Sequence, residues 1–135
     1  MSEENVELIR RWINVIEGAE PTTWGTMVDE IFAPDAEWID DPRWPDSNTF
    51  KGHNAINARL RDYNEAFGWS FGVEEIIGAG TAVVVLIKAL GRGEASGIET
   101  QGEWAFLLTL AGGEVLRWEV FLDRADAFKA AGLSE

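Results

Sequence analysis

Residues 69–122 read WSFGVEEIIGAGTAVVVLIKALGRGEASGIETQGEWAFLLTLAGGEVLRWEVFL. Runs rich in β-branched and aromatic residues occupy 69–77, 81–91, 97–110 and 114–122, and such runs favour extended backbone. Between them stand Gly78-Ala79-Gly80, the segment Arg92-Gly93-Glu94-Ala95-Ser96-Gly97, and Ala111-Gly112-Gly113. Glycine supplies the positive φ that tight hairpins need, so these strands are expected to run antiparallel in a meander.

Upstream the period changes to that of a helix. Over 3–17, Val6, Ile9, Ile13 and Ile16 form one row and Leu8, Trp12 and Val15 the next, giving a helix with a broad apolar face. Gly18 ends it, and Pro21-Thr22-Thr23 starts a second helix in which Trp24, Met27, Val28, Ile31 and Phe32 share one face until Pro34. Residues 37–40 read as a short strand, and 41–48 as a loop, because Pro42 and Pro45 forbid regular pairing there. A third helix over 53–67 carries Ile56, Leu60, Tyr63 and Phe67 on one stripe; a last one spans Asp123 to Ala131 and stops at Gly132. Helices followed by a meander predict an α+β domain over 1–135: a cone-shaped, curved antiparallel sheet packed on three N-terminal helices, with an apolar cavity between the layers.

Of the 135 residues, 46% are hydrophobic and 26% charged, a globular composition able to bury about two-thirds of its unfolded surface. The absence of Cys excludes disulfides, thiolate nucleophiles and Cys-containing zinc sites, and the single His, His53, excludes a multi-His metal centre within one chain. A formal net charge of −13 repels phosphates and anionic lipid heads, so neither nucleic acid nor membrane is the expected partner. No apolar run is long enough for a spanning helix, and MSEENVELIRRW is unlike a secretory signal, which makes the cytoplasm the expected compartment. Asp40, Asp41 and Asp46 lack the spacing of a calcium loop, and no metal or other cofactor is expected.

Several pieces in order resemble the SnoaL-like branch of the nuclear transport factor 2-like superfamily. They are Phe32-Ala33-Pro34-Asp35-Ala36-Glu37-Trp38, Asp41-Pro42, Lys51-Gly52-His53, Gly91-Arg92-Gly93 with Ser96-Gly97, Trp104-Ala105, Gly113-Glu114-Val115, and Asp123-Arg124-Ala125-Asp126-Ala127 with Ala131-Gly132-Leu133. The resemblance implies the cone-shaped fold and a pocket. It leaves the activity open among isomerases, cyclases, dehydratases, hydrolases and plain binding proteins.

By that resemblance, Asp41 before Pro42 matches the carboxylate base of ketosteroid isomerase, which removes a proton beside a carbonyl. The same residue reads equally as an Asp capping a Pro-rich turn, with Asp40, Asp46 and Glu37 as alternative acids. The isomerase's oxyanion donors fall on Trp12 and Ala105, neither of them an acid, and loss of such a donor typically costs ~100- to 1,000-fold in rate. Trp12 is then a core aromatic or a single indole donor. Tyr63 either packs in the core or turns its hydroxyl into the cavity, and His53 is expected to be exposed at the start of its helix. The isomerase resemblance implies that Trp118, Val120 and Leu122 face the cavity together with Ala105 and Leu107, and the expected pocket walls are Trp38, Trp44, Leu107, Trp118 and Val120. Trp104, Phe106 and Leu108 are then expected on the outer sheet face, which would form a homodimer surface; a one-residue slip in register exchanges the two lists. The expected function is binding of a small apolar molecule. Asp41 would serve cofactor-free isomerisation or polyketide-type cyclisation; the alternative is a non-catalytic binding protein using the same pocket.

Overall fold

The structure, a computed structural model, describes residues 2–16, 21–43, 47–67, 70–92 and 99–133. The elements run α1 (Ser2–Ile16), α2 (Pro21–Ile31), β1 (Phe32–Ile39), β2 (Thr49–Lys51), α3 (His53–Phe67), β3 (Ser70–Ala79), β4 (Ala82–Arg92), β5 (Glu99–Ala111), β6 (Glu114–Phe121) and α4 (Arg124–Ala130). This is the expected α+β architecture. The third helix has the predicted bounds, and the four long strands start and stop within two residues of the apolar runs.

The sheet order is β2-β1-β6-β5-β4-β3. Two features depart from the expected antiparallel sheet. β1 lies parallel to β6, through Trp38 opposite Trp118 and Ile39 opposite Glu119, so the sheet is mixed. The three-residue β2 covers the far side of β1, pairing Trp38 with Phe50. Pro34 also falls inside β1 instead of ending α2, which stops at Ile31. Its missing N–H removes no ladder bond, because it lies where the β1–β6 register shifts between Phe32 and Glu37 and ahead of the β2 pairing at Glu37.

The two faces of β5 are the reverse of those expected. Leu108 stands opposite Trp118 and Phe106 opposite Val120, while Leu107 faces Glu119 and Ala105 faces Phe121. Directly opposed residues share a face. Phe106 and Leu108 therefore join Trp118 and Val120 against the helices, with Trp104 packed alongside, and Leu107 leaves the expected pocket wall. The cause is local. The turn at Gly112 and Gly113, with φ of 59° and 79°, pairs Ala111 with Glu114 and Leu110 with Val115. The next pair is Thr109 with Arg117, so Leu116 is an extra residue in β6 and a β-bulge. Counting across the turn without that bulge sets Leu107 opposite Trp118, which is the expected list.

Two apolar layers result. The inner one packs Ile9 and Ile13 of α1, Met27, Val28 and Ile31 of α2, and Ile56 of α3 onto Trp38, Val83, Val85, Phe106, Leu108 and Trp118. The outer one packs Val84, Leu86, Ala105 and Leu107 under Ala127, with Phe128 and Leu133 at its margin. α4 thus covers the patch on that face, and the large side chains expected to form a dimer surface there point inward. Asp123 caps α4 by accepting from the Ala125 N–H at 2.9 Å. Arg124 donates to Ile87 O at 2.7 Å and Trp104 O at 3.2 Å, and pairs with Glu74 at the bulge of β3. Among the described residues no helix is long and apolar enough to cross a membrane.

Candidate functional site

The alternation along β1 places Trp38 on the inner face, where it meets the side chain of Trp118 on the adjacent β6. Their rings stack at 5.0 Å with planes 16° apart. Phe32 stacks on the same indole at 5.8 Å, Phe106 meets it tilted at 5.0 Å, and Trp24 of α2 approaches it at 6.1 Å. Trp118 is only 1% exposed. Offset and tilted ring pairs of this kind add about 0.5–1.5 kcal/mol each beyond the area they bury. Val120 joins the same layer, and Trp12 packs partly buried at its edge.

One end of this aromatic cluster carries charge. Asp40, two residues beyond Trp38, accepts from Arg59 Nη2 of α3 at 2.8 Å and from the Asn48 N–H at 3.2 Å. The ion pair is withdrawn from solvent, with side-chain exposures of 1% and 11%. Arg59 also lies over the Phe50 ring, 5.1 Å from its centroid. Such a pair holds loop and helix in one geometry, because either charge alone would be costly to bury.

Asp41, the expected base, sits in a different setting. Its Oδ1 accepts from Arg43 N at 2.9 Å and Arg43 Nε at 3.1 Å; its Oδ2 accepts from Arg43 Nη2 at 2.9 Å and from the Leu122 N–H at 2.8 Å. Burial works to raise the pKa of this carboxyl. The Arg43 side-chain bonds, the Leu122 and Arg43 backbone bonds and the Arg43 charge outweigh it, and the carboxyl is held down at about 2. Arg43 reaches on to Asp126 of α4 at 3.1 Å. Asp41 therefore laces the end of β1 to the end of β6 and to α4. A general base needs a pKa raised toward working pH, and this environment acts in the opposite sense.

His53 is half-buried instead of exposed. Its Nε2 lies 2.9 Å from Phe32 O and 3.1 Å from Ala33 O, so that nitrogen carries the proton and donates, pinning the start of α3 to the start of β1. Tyr63 lies on α3, but its side chain is outside the described residues, as is the whole of Trp44. The expected site residues that meet are thus Trp38, Trp118 and Val120, with Trp12 at the margin. Trp24, Phe106 and Arg59 also build the site and were not expected there; of these, Trp24 was legible on the apolar face of α2.

Helices on the inner face of an open, curved mixed sheet, with an aromatic interior, define a nuclear transport factor 2-like α+β protein. Residues 9–118 match the family model of the SnoaL-like domain, and the chain belongs to that family. A protein from Jannaschia sp. CCS1 described as a SnoaL-like polyketide cyclase superimposes with a TM-score of 0.76 at 22% identity, covering 99% of this chain and 95% of that one. A ketosteroid isomerase-like fold from Catenulispora acidiphila DSM 44928, in complex with trimethylamine, gives 0.70 at 19% identity over 94% and 93%. TerC, co-crystallised with polyporic acid, gives 0.71 at 19% identity over 95% and 98%. No curated protein sequence matches the chain.

Proposed function

We propose that this chain binds a small, largely apolar organic molecule at the inner face of the sheet and does so without using Asp41 as a base. The observation that carries the reading is the aromatic cluster centred on Trp118, enclosed by Trp24, Phe32, Trp38 and Phe106 between sheet and helices. Aromatic walls with a few fixed polar groups are the usual make-up of small-molecule sites. Two structurally similar proteins holding trimethylamine and polyporic acid support a small organic ligand. Proton abstraction beside a carbonyl, as in polyketide-type cyclisation or isomerisation, is disfavoured at Asp41 by its hydrogen bonds and low pKa.

Titration with 2-acetylnaphthalene tests the reading. Saturable one-to-one quenching of tryptophan emission is expected, with amide shifts concentrated on α2, α3 and the inner residues of β5 and β6. Linear, non-saturating quenching, or shifts centred on α4 and the outer face, would refute it. A catalytic second reading rests on Asp40, which is buried beside Arg59 at the end of this cluster. It requires protein-dependent deuterium exchange at the carbon next to the probe's carbonyl, lost in Asp40→Asn; exchange no faster than buffer excludes it for this probe.

A further inference from the structure

Trp118 Nε1 and Asn57 Oδ1 are sealed from solvent and have no hydrogen-bond partner among the described residues. An indole nitrogen only donates, and an amide oxygen only accepts. Native interiors pair nearly all such groups, so each orphan calls for an explanation. Both border the same turn of α2. The Trp24 ring approaches Trp118 at 6.1 Å, and a side chain starting at the next residue, Gly25, would stand 3.7 Å from Asn57 Oδ1. Gly25 lies in the interior of an eleven-residue helix, where alanine is the better helix former. Its bare Cα leaves the space beside that oxygen unfilled.

Resting on the inner-face binding reading, we propose that Trp118 and Asn57 are a specificity-determining pair. They select an apolar ligand that carries a carbonyl-type acceptor for the Trp118 N–H and a hydroxyl or N–H donor for Asn57 Oδ1. A plain hydrocarbon leaves both atoms unpaired. A ligand with two acceptors satisfies the indole but sets oxygen against oxygen at Asn57. A hydroxy ketone satisfies both, and because the partners are buried the discrimination is large: a site built to hydrogen-bond a polar group rejects the analogue lacking it more strongly than it weighs a methylene.

Three probes of one shape test this: naphthalene, 2-acetylnaphthalene and 6-hydroxy-2-acetylnaphthalene, titrated calorimetrically. The acetyl group is expected to tighten binding roughly tenfold and the hydroxyl roughly tenfold again. Trp118→Phe is expected to erase the acetyl gain and Asn57→Ala the hydroxyl gain. Gly25→Ala, which favours the helix, is expected to reduce the hydroxyl gain by filling the space beside Asn57, and so reports on the site even where a core variant fails to fold. In the unmutated protein the Trp118 indole N–H resonance is expected to move downfield with the ketone and to stay in place with naphthalene. Saturable binding with probe ratios unchanged in Trp118→Phe and Asn57→Ala, or an unmoved indole signal at saturating ketone, would overturn the pair and leave the inner-face reading standing. If no probe binds saturably, that reading fails and the pair with it.

Discussion

Asp41→Asn is expected to destabilise the fold at neutral pH by an amount that vanishes in acid. In the folded chain Asp41 is 3% exposed and its carboxyl titrates at about 2, against 3.8 as its ordinary value. Each pH unit between the two titrations is worth about 1.4 kcal/mol, so the ionised carboxylate contributes roughly 2–3 kcal/mol at pH 7. The folded pKa lies below the unfolded one. The contribution is therefore complete above about pH 4 and is lost as pH falls through about 2, because the unfolded chain takes up the proton first. Asparagine keeps the shape but replaces one acceptor oxygen by an NH2 group. Either Arg43 N and Nε, or Arg43 Nη2 and the Leu122 N–H, would then face a donor. Urea unfolding followed by circular dichroism, on both proteins from pH 7 downward, reads the difference directly, since every other carboxylate is common to the two. The expected gap is about 2–4 kcal/mol at pH 7, shrinking below pH 4 and closing near pH 2. A gap under about 0.5 kcal/mol at pH 7, or one that stays constant between pH 5 and pH 2, would refute the assignment of Asp41 as the clasp between β1 and β6.

Arg59→Met leaves Asp40 buried without its guanidinium and is expected to cost about 3–5 kcal/mol in urea unfolding. Asp40→Asn with Arg59→Met together is expected to cost less than Arg59→Met alone; the reverse order would show that the ion pair is not what the buried Asp40 requires. Gly102→Ala places a methyl group against the Trp104 indole, which lies over that glycine. It is expected to cost about 1–3 kcal/mol and to shift tryptophan emission, because the ring must move; an unchanged spectrum and stability would show the indole does not rest there.

Local pattern carried the helices and the long strands. The stripe Ile56, Leu60, Tyr63, Phe67 sets the length of α3, and the glycines at 112 and 113 set the last hairpin. Pairing between distant segments left no such trace. β1 lies parallel to β6 across most of the chain, and a three-residue β2 with little buried surface has no alternation to read. The site was legible in its residue types, since Trp38, Trp118 and Val120 do share the inner layer. It was not legible in its charges. Asp40 and Asp41 are adjacent and equally buried, and only the placement of Arg59, Arg43 and the Leu122 N–H separates an inward ion pair from a clasp at the rim.

Leu116, exposed at the bulge of β6, governs which side chains of β5 face the helices. With the same turn and Leu116 paired to Thr109 instead of bulged, every pair from Thr109 onward would shift by one, and Ala105 and Leu107 would be delivered to the helices in place of Phe106 and Leu108. The inner layer would lose its aromatic volume and the layer beneath α4 would be overfilled. Which face of β5 is interior is thus written in β6, as a frame and not as a composition. In a relative with a hairpin of the same length but no bulge, the aromatic alternation on β5 would have to be inverted to build the same interior.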